Sequence, residues 1–304
     1  MVRQYYPIAV MFAIVVAYAI CFTAIKTGLI YAPPFLFSAL RVLIGGVAIM
    51  LTLWFLKLPL WPERKLWPWI LVMAVTATTI NYAAMFLSAG RTGAGIASIL
   101  GNMQPLFIVV MATVFLGERL SKSSWLSLIL SLIGIVIIFS PTYFESTIYG
   151  IAGPFWAVVA SISAAIGSVL MKYLGQPTAV LLITAWQFLV GSIPLFFFSW
   201  LTELPNYNSI LDLKFIVILF LLALFGTAFG SVAWYLLIQR CEIGRLSLGF
   251  FLVPVFGLGL ALMLGERLTS IEMLGAGVVI IAILVSLLPQ TRKLSTDSYL
   301  TDRV

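Results

Sequence analysis

The chain has 304 residues, of which 62% are hydrophobic and only 9% are charged, whereas a soluble domain carries about 25% charged residues. So few charges exclude a globular protein that covers its surface against water, since only a bilayer accepts apolar side chains on the outside. The excess of 17 basic over 10 acidic residues lies between apolar runs, so it indicates membrane topology and no nucleic-acid partner.

Crossing a hydrocarbon core takes about 20 apolar residues. The sequence predicts ten such spans, at residues 8–25, 34–56, 66–89, 93–116, 124–140, 151–171, 178–201, 215–238, 246–264 and 271–288. We interpret the first run as a retained helix and not as a cleaved leader, because it is long enough to span and further spans follow it. Residues 289–304 form a polar tail.

The residues that most enzymes and metal sites need are scarce. The sequence contains no histidine, and its acidic residues lie outside the centres of the apolar runs. Cys21 and Cys241 show no CxxC spacing and no pattern that indicates a disulfide framework or a zinc site. We therefore expect no enzyme activity, no cofactor and no metal site.

Lysine and arginine predict the orientation, because positively charged loops resist translocation. With the N-terminus in the cytoplasm, twelve of these residues fall on the cytoplasmic side, and four, namely Lys26, Arg91, Lys214 and Arg267, fall on the other. Arg41 is set aside because it lies within a span. We predict a multi-pass protein of the cytoplasmic (inner) membrane that is surrounded by lipid and has both termini in the cytoplasm.

One five-residue motif occurs twice. Residues 116–120 and 264–268 both read LGERL, and each copy follows a predicted span with a proline in its middle, Pro105 or Pro254. Further back, Lys26, Arg41, Gly45 and Arg91 correspond to Lys172, Gln187, Gly191 and Arg240. Because five spans are an odd number, the second half enters the membrane from the opposite side. We predict an all-α integral membrane fold of two inverted five-helix repeats, residues 1–140 and 150–288, around a central cavity.

These features together resemble the EamA-type branch of the drug/metabolite transporter superfamily, from about residue 7 to residue 288. The resemblance rests on the mid-helix proline, the LGERL ending, and the next helix with Leu132-Ile133-Gly134 or Leu274-Gly275-Ala276. It implies ten helices in two inverted repeats, a central cavity, and export of amino acids, other metabolites or drugs. It also implies that the fifth and tenth helices lie at the periphery while the others line the cavity.

The two matched prolines are predicted hinges. Pro105 and Pro254 each lack a backbone N–H and clash with the carbonyl four residues earlier, so both helices should kink near the membrane centre. Proline that merely shapes helix packing is the alternative.

Arg41 is the cation inside a predicted span, and a charge there costs at least ~2.5–3.5 kcal/mol near the centre. Two interpretations stay open. The side chain extends to the membrane interface, or it faces the cavity and binds a substrate carboxylate. Gln187, its counterpart in the repeat, either binds substrate or forms a hydrogen bond between helices.

Amide and aromatic side chains near mid-span suit an amphipathic solute with a flat apolar part. The candidate substrate-binding residues are Tyr18, Phe22, Arg41, Asn81, Tyr82, Asn102, Gln104, Trp186, Gln187, Trp234 and Tyr235. For Glu118 and Glu266, helix capping, a surface ion pair and coupling-ion chemistry stay open. Small-residue faces such as Gly275-Ala276-Gly277 fit packing within one chain as well as a homodimer.

The sequence therefore predicts a secondary transporter or facilitator that exports small amphipathic metabolites by alternating access, with neutral or aromatic amino acids first. Nucleosides, other metabolites or drugs are the alternative substrates, and a membrane protein without transport activity is a more remote alternative. No buried carboxylate or histidine is present to relay protons, so facilitated or weakly coupled movement is favoured.

Overall fold

The computed structural model describes residues 2–91, 103–145, 152–204, 210–263 and 269–287, and these residues form helices and no strand. The first half contains α1 (Val2–Gly28), α2 (Pro34–Phe55), α3 (Trp67–Met73), α4 (Asn81–Arg91), α5 (Gln104–Phe115) and α6 (Lys122–Glu145). The second half contains α7 (Ala152–Leu174), α8 (Val180–Thr202), α9 (Leu213–Leu221), α10 (Gly230–Ile238), α11 (Ile243–Ser247), α12 (Leu252–Met263) and α13 (Ser270–Leu287).

Two of these helical runs pass through a π-helix. Ala74–Ile80 joins α3 to α4, and Leu222–Phe229 joins α9 to α10, so each run is one continuous rod. Six described runs are long and apolar enough to cross a membrane: Pro7–Gly28, Pro34–Phe55, Arg64–Ala89, Phe155–Leu174, Val180–Thr202 and Leu213–Ile238. Four shorter apolar helices accompany them. Many large apolar side chains, such as Trp200 and Phe55, are exposed on the outside, as a bilayer requires.

The long helices lie close to where the hydropathy pattern predicts them. The helix predicted at 34–56 is Pro34–Phe55, and the one predicted at 178–201 is Val180–Thr202. Of the span predicted at 93–116, the structure describes the second part as α5 (Gln104–Phe115), and residues 92–102 lie outside the described part of the chain.

The two ends of the bundle can be identified from α8. This helix begins at Val180, a few residues after Lys172, and its 23 residues carry the chain ~34 Å at 1.5 Å per residue before Glu203. The Lys172 ammonium donates hydrogen bonds to the carbonyls of Ile238 and Cys241 at the end of α10. We call this end of the bundle the Glu118 end, since Glu118 contacts the adjoining α11, and the opposite end the Glu203 end.

Each end carries a carboxylate that caps a distant helix. Glu203 accepts hydrogen bonds from the amides of Phe35 (2.6 Å) and Leu36 (2.9 Å) at the start of α2. Glu118 accepts hydrogen bonds from the amides of Ile243 (3.0 Å) and Gly244 (2.9 Å) at the start of α11. The first amides of a helix have no partner within it, and an anion is favourable there. Both caps therefore connect the two halves of the chain.

Helices α6 and α13 pack against each other through glycine. A Cβ added at Gly275 would lie 2.8 Å from the Gly134 carbonyl oxygen, so the two backbones are in direct contact. Close backbone approach at small residues is the usual way in which helices associate in lipid.

Candidate functional site

A cavity of about 190 Å³ lies inside the bundle. Its described lining comes from α1, α2, α4, α5, α7, α8, α10, both π-helices, and the segment Phe250–Val253, with no residue from α6 or α13. Of the residues singled out in the sequence, the lining includes Tyr18, Arg41, Asn81, Tyr82, Gln104, Pro105, Trp234 and Tyr235. The fold thus brings together side chains that are separated by more than 200 positions in the chain.

The cavity extends from mid-span towards the Glu203 end. On α1 its lining is Tyr18, Cys21 and Ile25, and on α4 it reaches Ser88 and Ala89. The side chains closer to the Glu118 end form a packed apolar cluster that includes Ile14, Val15, Ile70, Met73, Ile183, Ile238 and Ile243. The Glu118 end of the cavity is therefore closed by protein side chains.

Arg41 is buried in the wall of this cavity, with 4% of its surface exposed. Its Nε donates a 2.8 Å hydrogen bond to Thr227 Oγ1, and its guanidinium carbon lies 5.3 Å from the ring centroid of Tyr82. Its Nη1 has no hydrogen-bond partner among the described residues. The side chain therefore does not extend to the membrane interface, and it presents an unpaired cationic donor inside the protein.

Space for this guanidinium depends on Gly226. A Cβ at that position would overlap Cys21 Sγ and lie 2.9 Å from Arg41 Nη2. Any larger residue at 226 would require the Cys21 side chain and the guanidinium to move from their present positions.

The two π-helices form matched contacts on opposite sides of the cavity. Thr227 Oγ1 accepts from Arg41 and donates to the Leu222 carbonyl five residues earlier, at 3.2 Å. In the other π-helix, Thr79 Oγ1 donates to the Ala74 carbonyl, also five residues earlier, at 3.0 Å. π-helical turns are rare in proteins overall, but those that occur are often found at functional sites. Sequence reasoning missed both, because no local pattern in these residues distinguishes a π-turn from an α-turn.

An aromatic group lines one side of the cavity. The rings of Tyr18 and Phe250 stack with centroids 5.7 Å apart, and Trp234 lies 4.6 Å from Phe250. Trp234 Nε1 donates to Ser168 Oγ at 2.9 Å, and Ser168 in turn donates to the Ala164 carbonyl. The indole is thus held in one orientation, and its ring remains available for contact with an apolar ligand.

Small residues of α7 form another part of the lining. Ala157, Ala160, Ser161, Ala164 and Ser168 lie three or four positions apart, except for the adjacent pair Ala160 and Ser161. This stripe was missed as a cavity wall, although its periodicity is visible in the sequence, because small residues also mark close helix packing.

The remaining polar lining is neutral. Asn81 Nδ2 donates to the Ala77 carbonyl at 3.2 Å, which leaves its Oδ1 as an acceptor, and Gln104 adds a second carboxamide. Among the described lining residues Arg41 is the one charged side chain. A positively charged, partly aromatic cavity is suited to a ligand with one anionic group and a flat apolar body.

Two predicted residues lie outside the cavity lining. Trp186 packs against Trp61 and Trp67 with centroids 4.9 and 5.2 Å away, and its Nε1 donates to the Leu60 carbonyl. Gln187 is fully buried, and neither carboxamide atom has a hydrogen-bond partner of good geometry among the described residues. The next residue, Phe188, lines the cavity instead, because successive side chains point about 100° apart around a helix.

The two prolines both stand in the first turn of a helix. Pro105 is at the start of α5, and Pro254 is at the start of α12, directly after the 3₁₀ turn Leu248–Phe251. A proline in the first turn lacks an N–H that would be unpaired anyway. In the second half a 3₁₀ turn precedes the helix that contains Pro254, and neighbouring Phe250 and Val253 line the cavity. Hinge movement at either proline stays a prediction. The Phe22 side chain and Asn102 lie outside the described part of the chain.

Comparison with known proteins gives a consistent result. The model of the EamA-like transporter family matches residues 6–140 and again residues 151–288. An uncharacterized transporter of Archaeoglobus fulgidus is 27% identical over 88% of this chain and 94% of its own length. A probable amino-acid metabolite efflux pump of Salmonella typhimurium is 28% identical over 86% of this chain and 88% of its own length.

A solved crystal structure shares the fold. It superposes with a TM-score of 0.80 at 16% identity and covers 93% of this chain and 96% of its own. With two family matches that together span most of the chain, the resemblance seen in the sequence is confirmed. The apolar helices and the transporter relatives identify a multi-pass membrane protein. The chain belongs to the EamA-like transporter family.

Proposed function

We propose that this protein exports small amphipathic metabolites that carry a carboxylate, with neutral and aromatic amino acids first. The observation that carries the proposal is Arg41 Nη1, a cationic donor buried in the cavity wall without a partner among the described residues. An unpaired buried charge is costly, and a substrate carboxylate supplies the missing acceptor. The stacked rings of Tyr18 and Phe250 together with Trp234 supply the apolar surface for the substrate body.

The relatives support this substrate class. The matching proteins of Salmonella typhimurium and Escherichia coli are named probable amino-acid metabolite efflux pumps. Amino acids, which carry a carboxylate, fit the charge of the cavity better than organic cations, because no described lining residue is acidic.

The architecture proposed for this function is ten spans in two inverted five-helix repeats. The six long and four shorter apolar helices supply the spans. Matched contacts support the inverted relation: a Cβ at Gly45 of α2 would lie 2.8 Å from Thr227 Cγ2, and one at Gly191 of α8 would lie 2.6 Å from Thr78 Cγ2. The second helix of each half thus packs on the π-helix of the other. Rocking of such halves around a midplane site is the basis of alternating access.

The protein is proposed to lie in the cytoplasmic (inner) membrane with both termini in the cytoplasm, as the distribution of lysine and arginine favours. In that orientation the Glu118 end faces the cytoplasm. The described lining then lies between the middle of the membrane and its outer face. Its partners are the small-molecule substrate and membrane lipid.

The first experiment is counterflow in liposomes that contain the purified protein, with a panel of radiolabelled amino acids and nucleosides. We expect exchange of neutral or aromatic amino acids, unaffected by a pH gradient, because no acidic or histidine side chain in the described lining is available to couple protons. Liposomes without protein are the control. Movement of nucleosides without amino acids would reject the substrate class while retaining a transporter.

A charge series tests recognition of the carboxylate more directly. The ligands 3-phenylpropanoate, phenylalanine and phenethylamine share an aromatic body and differ stepwise in net charge. Two like charges at 4 Å repel by about 1 kcal/mol even at the permittivity of water, which is about fivefold in affinity. We expect inhibition of phenylalanine counterflow to weaken at least about fivefold at each step from anion to zwitterion to cation. Equal inhibition by all three ligands would contradict carboxylate recognition.

A further inference from the structure

The Glu118 carboxylate connects parts of the chain that are 125 positions apart. Its two oxygens accept hydrogen bonds from consecutive backbone amides, Ile243 at 3.0 Å and Gly244 at 2.9 Å. Ile243 is the first residue of α11, so these donors belong to the turn whose amides have no partner within the helix. Hydrogen bonds in which one partner is charged are stronger than hydrogen bonds between two neutral groups. The contact therefore uses both oxygens of the carboxylate.

The backbone before Glu118 fixes the direction of this side chain. Helix α5 ends at Phe115, and Gly117 adopts φ +66°, a left-handed conformation that favours glycine. The Glu118 amide donates back to the Ala112 carbonyl at 3.2 Å and closes the turn. The carboxylate is thus held across the gap between α5 and α11 by its own backbone.

The contact lies at the closed end of the cavity. The capped residue Ile243 belongs to the apolar cluster that seals this end. The chain then runs from α11 through Leu248–Phe251 to Phe250 and Val253, which line the cavity. Because α5 belongs to the first half and α11 to the second, the two hydrogen bonds of Glu118 break if the halves separate at this end.

We propose that Glu118 is a positioning residue of the transport cycle, which holds the Glu118 end closed while the cavity faces the Glu203 end and releases it when the cavity turns. This role rests on the proposed alternating-access function. It is separate from substrate recognition, because Glu118 is absent from the described lining of the cavity.

The native cysteines allow a test that needs no substrate. Cys21 lines the cavity, and Cys241 lies at the Glu118 end. In a Cys241→Ser background, Cys21 is labelled by a membrane-impermeant charged methanethiosulfonate in vesicles of both orientations. A Cys21→Ser background with native Cys241 identifies which side holds the Glu118 end. Burial raises the pKa of the Cys241 thiol, so labelling is carried out in mildly alkaline buffer, where more thiolate is present.

In the Cys241→Ser background with native Glu118, Cys21 should react mainly from the side of the Glu203 end. Glu118→Gln should raise its labelling rate from the Glu118 side at least tenfold. The matched control is Glu203→Gln, which removes the other carboxylate cap and should not raise labelling from the Glu118 side. An unchanged rate in Glu118→Gln, or an equal rise from both sides, would overturn the proposal. Absence of transport with the expected labelling pattern would instead reject only the proposed substrates.

A cross-link gives a second test if Glu118→Gln does not fold. A Cβ at Gly244 would lie 3.7 Å from the Leu120 Cδ atoms, so the two positions face each other across the same gap. Leu120→Cys with Gly244→Cys, in a chain with Cys241→Ser that keeps the native Cys21, should form a disulfide on oxidation. We expect the oxidised protein to lose counterflow and a reductant to restore it. Normal counterflow by fully cross-linked protein would show that this end does not need to open.

Discussion

Arg41→Gln should reduce amino-acid counterflow at least about 30-fold while leaving the protein as stable as before. Loss of one partner of a buried, hydrogen-bonded charge pair costs about 2–5 kcal/mol, and each 1.4 kcal/mol is a factor of ten. Nη1 has no hydrogen-bond partner among the described residues, and loss of the hydrogen bond from Nε to Thr227 is offset by removal of the buried charge. Removing an unpaired buried charge is neutral or favourable for stability. The measurements are initial counterflow rates and thermal unfolding of the same preparations.

Arg41→Lys is the matched variant for this prediction. It keeps the positive charge but lacks the planar fork in which Nε binds Thr227 while Nη1 has no hydrogen-bond partner among the described residues. We expect counterflow between the values of the native protein and Arg41→Gln, with the preference for anions over cations retained. If Arg41→Gln transports normally, Arg41 is a structural residue and the proposed carboxylate site is wrong. A large fall in melting temperature would point to the same conclusion.

Much of the helical layout could be predicted because hydropathy depends on composition within a short window. The span predicted at 215–238 corresponds to Leu213–Ile238, a run of three segments that sequence could not separate. The π-turn inside it depends on tertiary contacts: Thr227 is held from outside by Arg41 and lies against Gly45 of α2. Such contacts arise only once the helices have assembled.

The candidate site could likewise be predicted from the sequence only in part. Arg41 could be selected from sequence because a charge in an apolar run is rare, but its depth left two interpretations. Only the contacts with Thr227 and Tyr82 show that the side chain does not extend to the membrane interface, and binding of a carboxylate stays a prediction. Trp186 was selected for its aromatic ring alone. Its neighbour Phe188 lines the cavity instead, and that choice depends on the rotation of α8, which a helix without a polar face does not reveal.

Gly275→Val should destabilise the protein far more than Gly277→Val, although the two positions lie on the same helix. A Cβ at Gly275 would come within 2.7 Å of the Ile138 amide nitrogen and 2.8 Å of the Gly134 carbonyl oxygen, whereas one at Gly277 meets nothing within 4 Å. The first two atoms belong to the α6 backbone and cannot rotate away. Overpacking of this kind costs about 1–3 kcal/mol, while a surface substitution usually stays within about 0.5 kcal/mol.

The comparison is carried out by thermal unfolding of both variants in the same detergent. Both substitutions add the same side chain to the same helix, so differences in helix propensity and apolar surface cancel. Because neither α6 nor α13 contributes to the described lining of the cavity, folded Gly275→Val should retain its order of ligand preference. Equal melting temperatures would show that the two helices do not pack through Gly134 and Gly275, and a changed ligand preference would show that this pair contributes to the cavity after all.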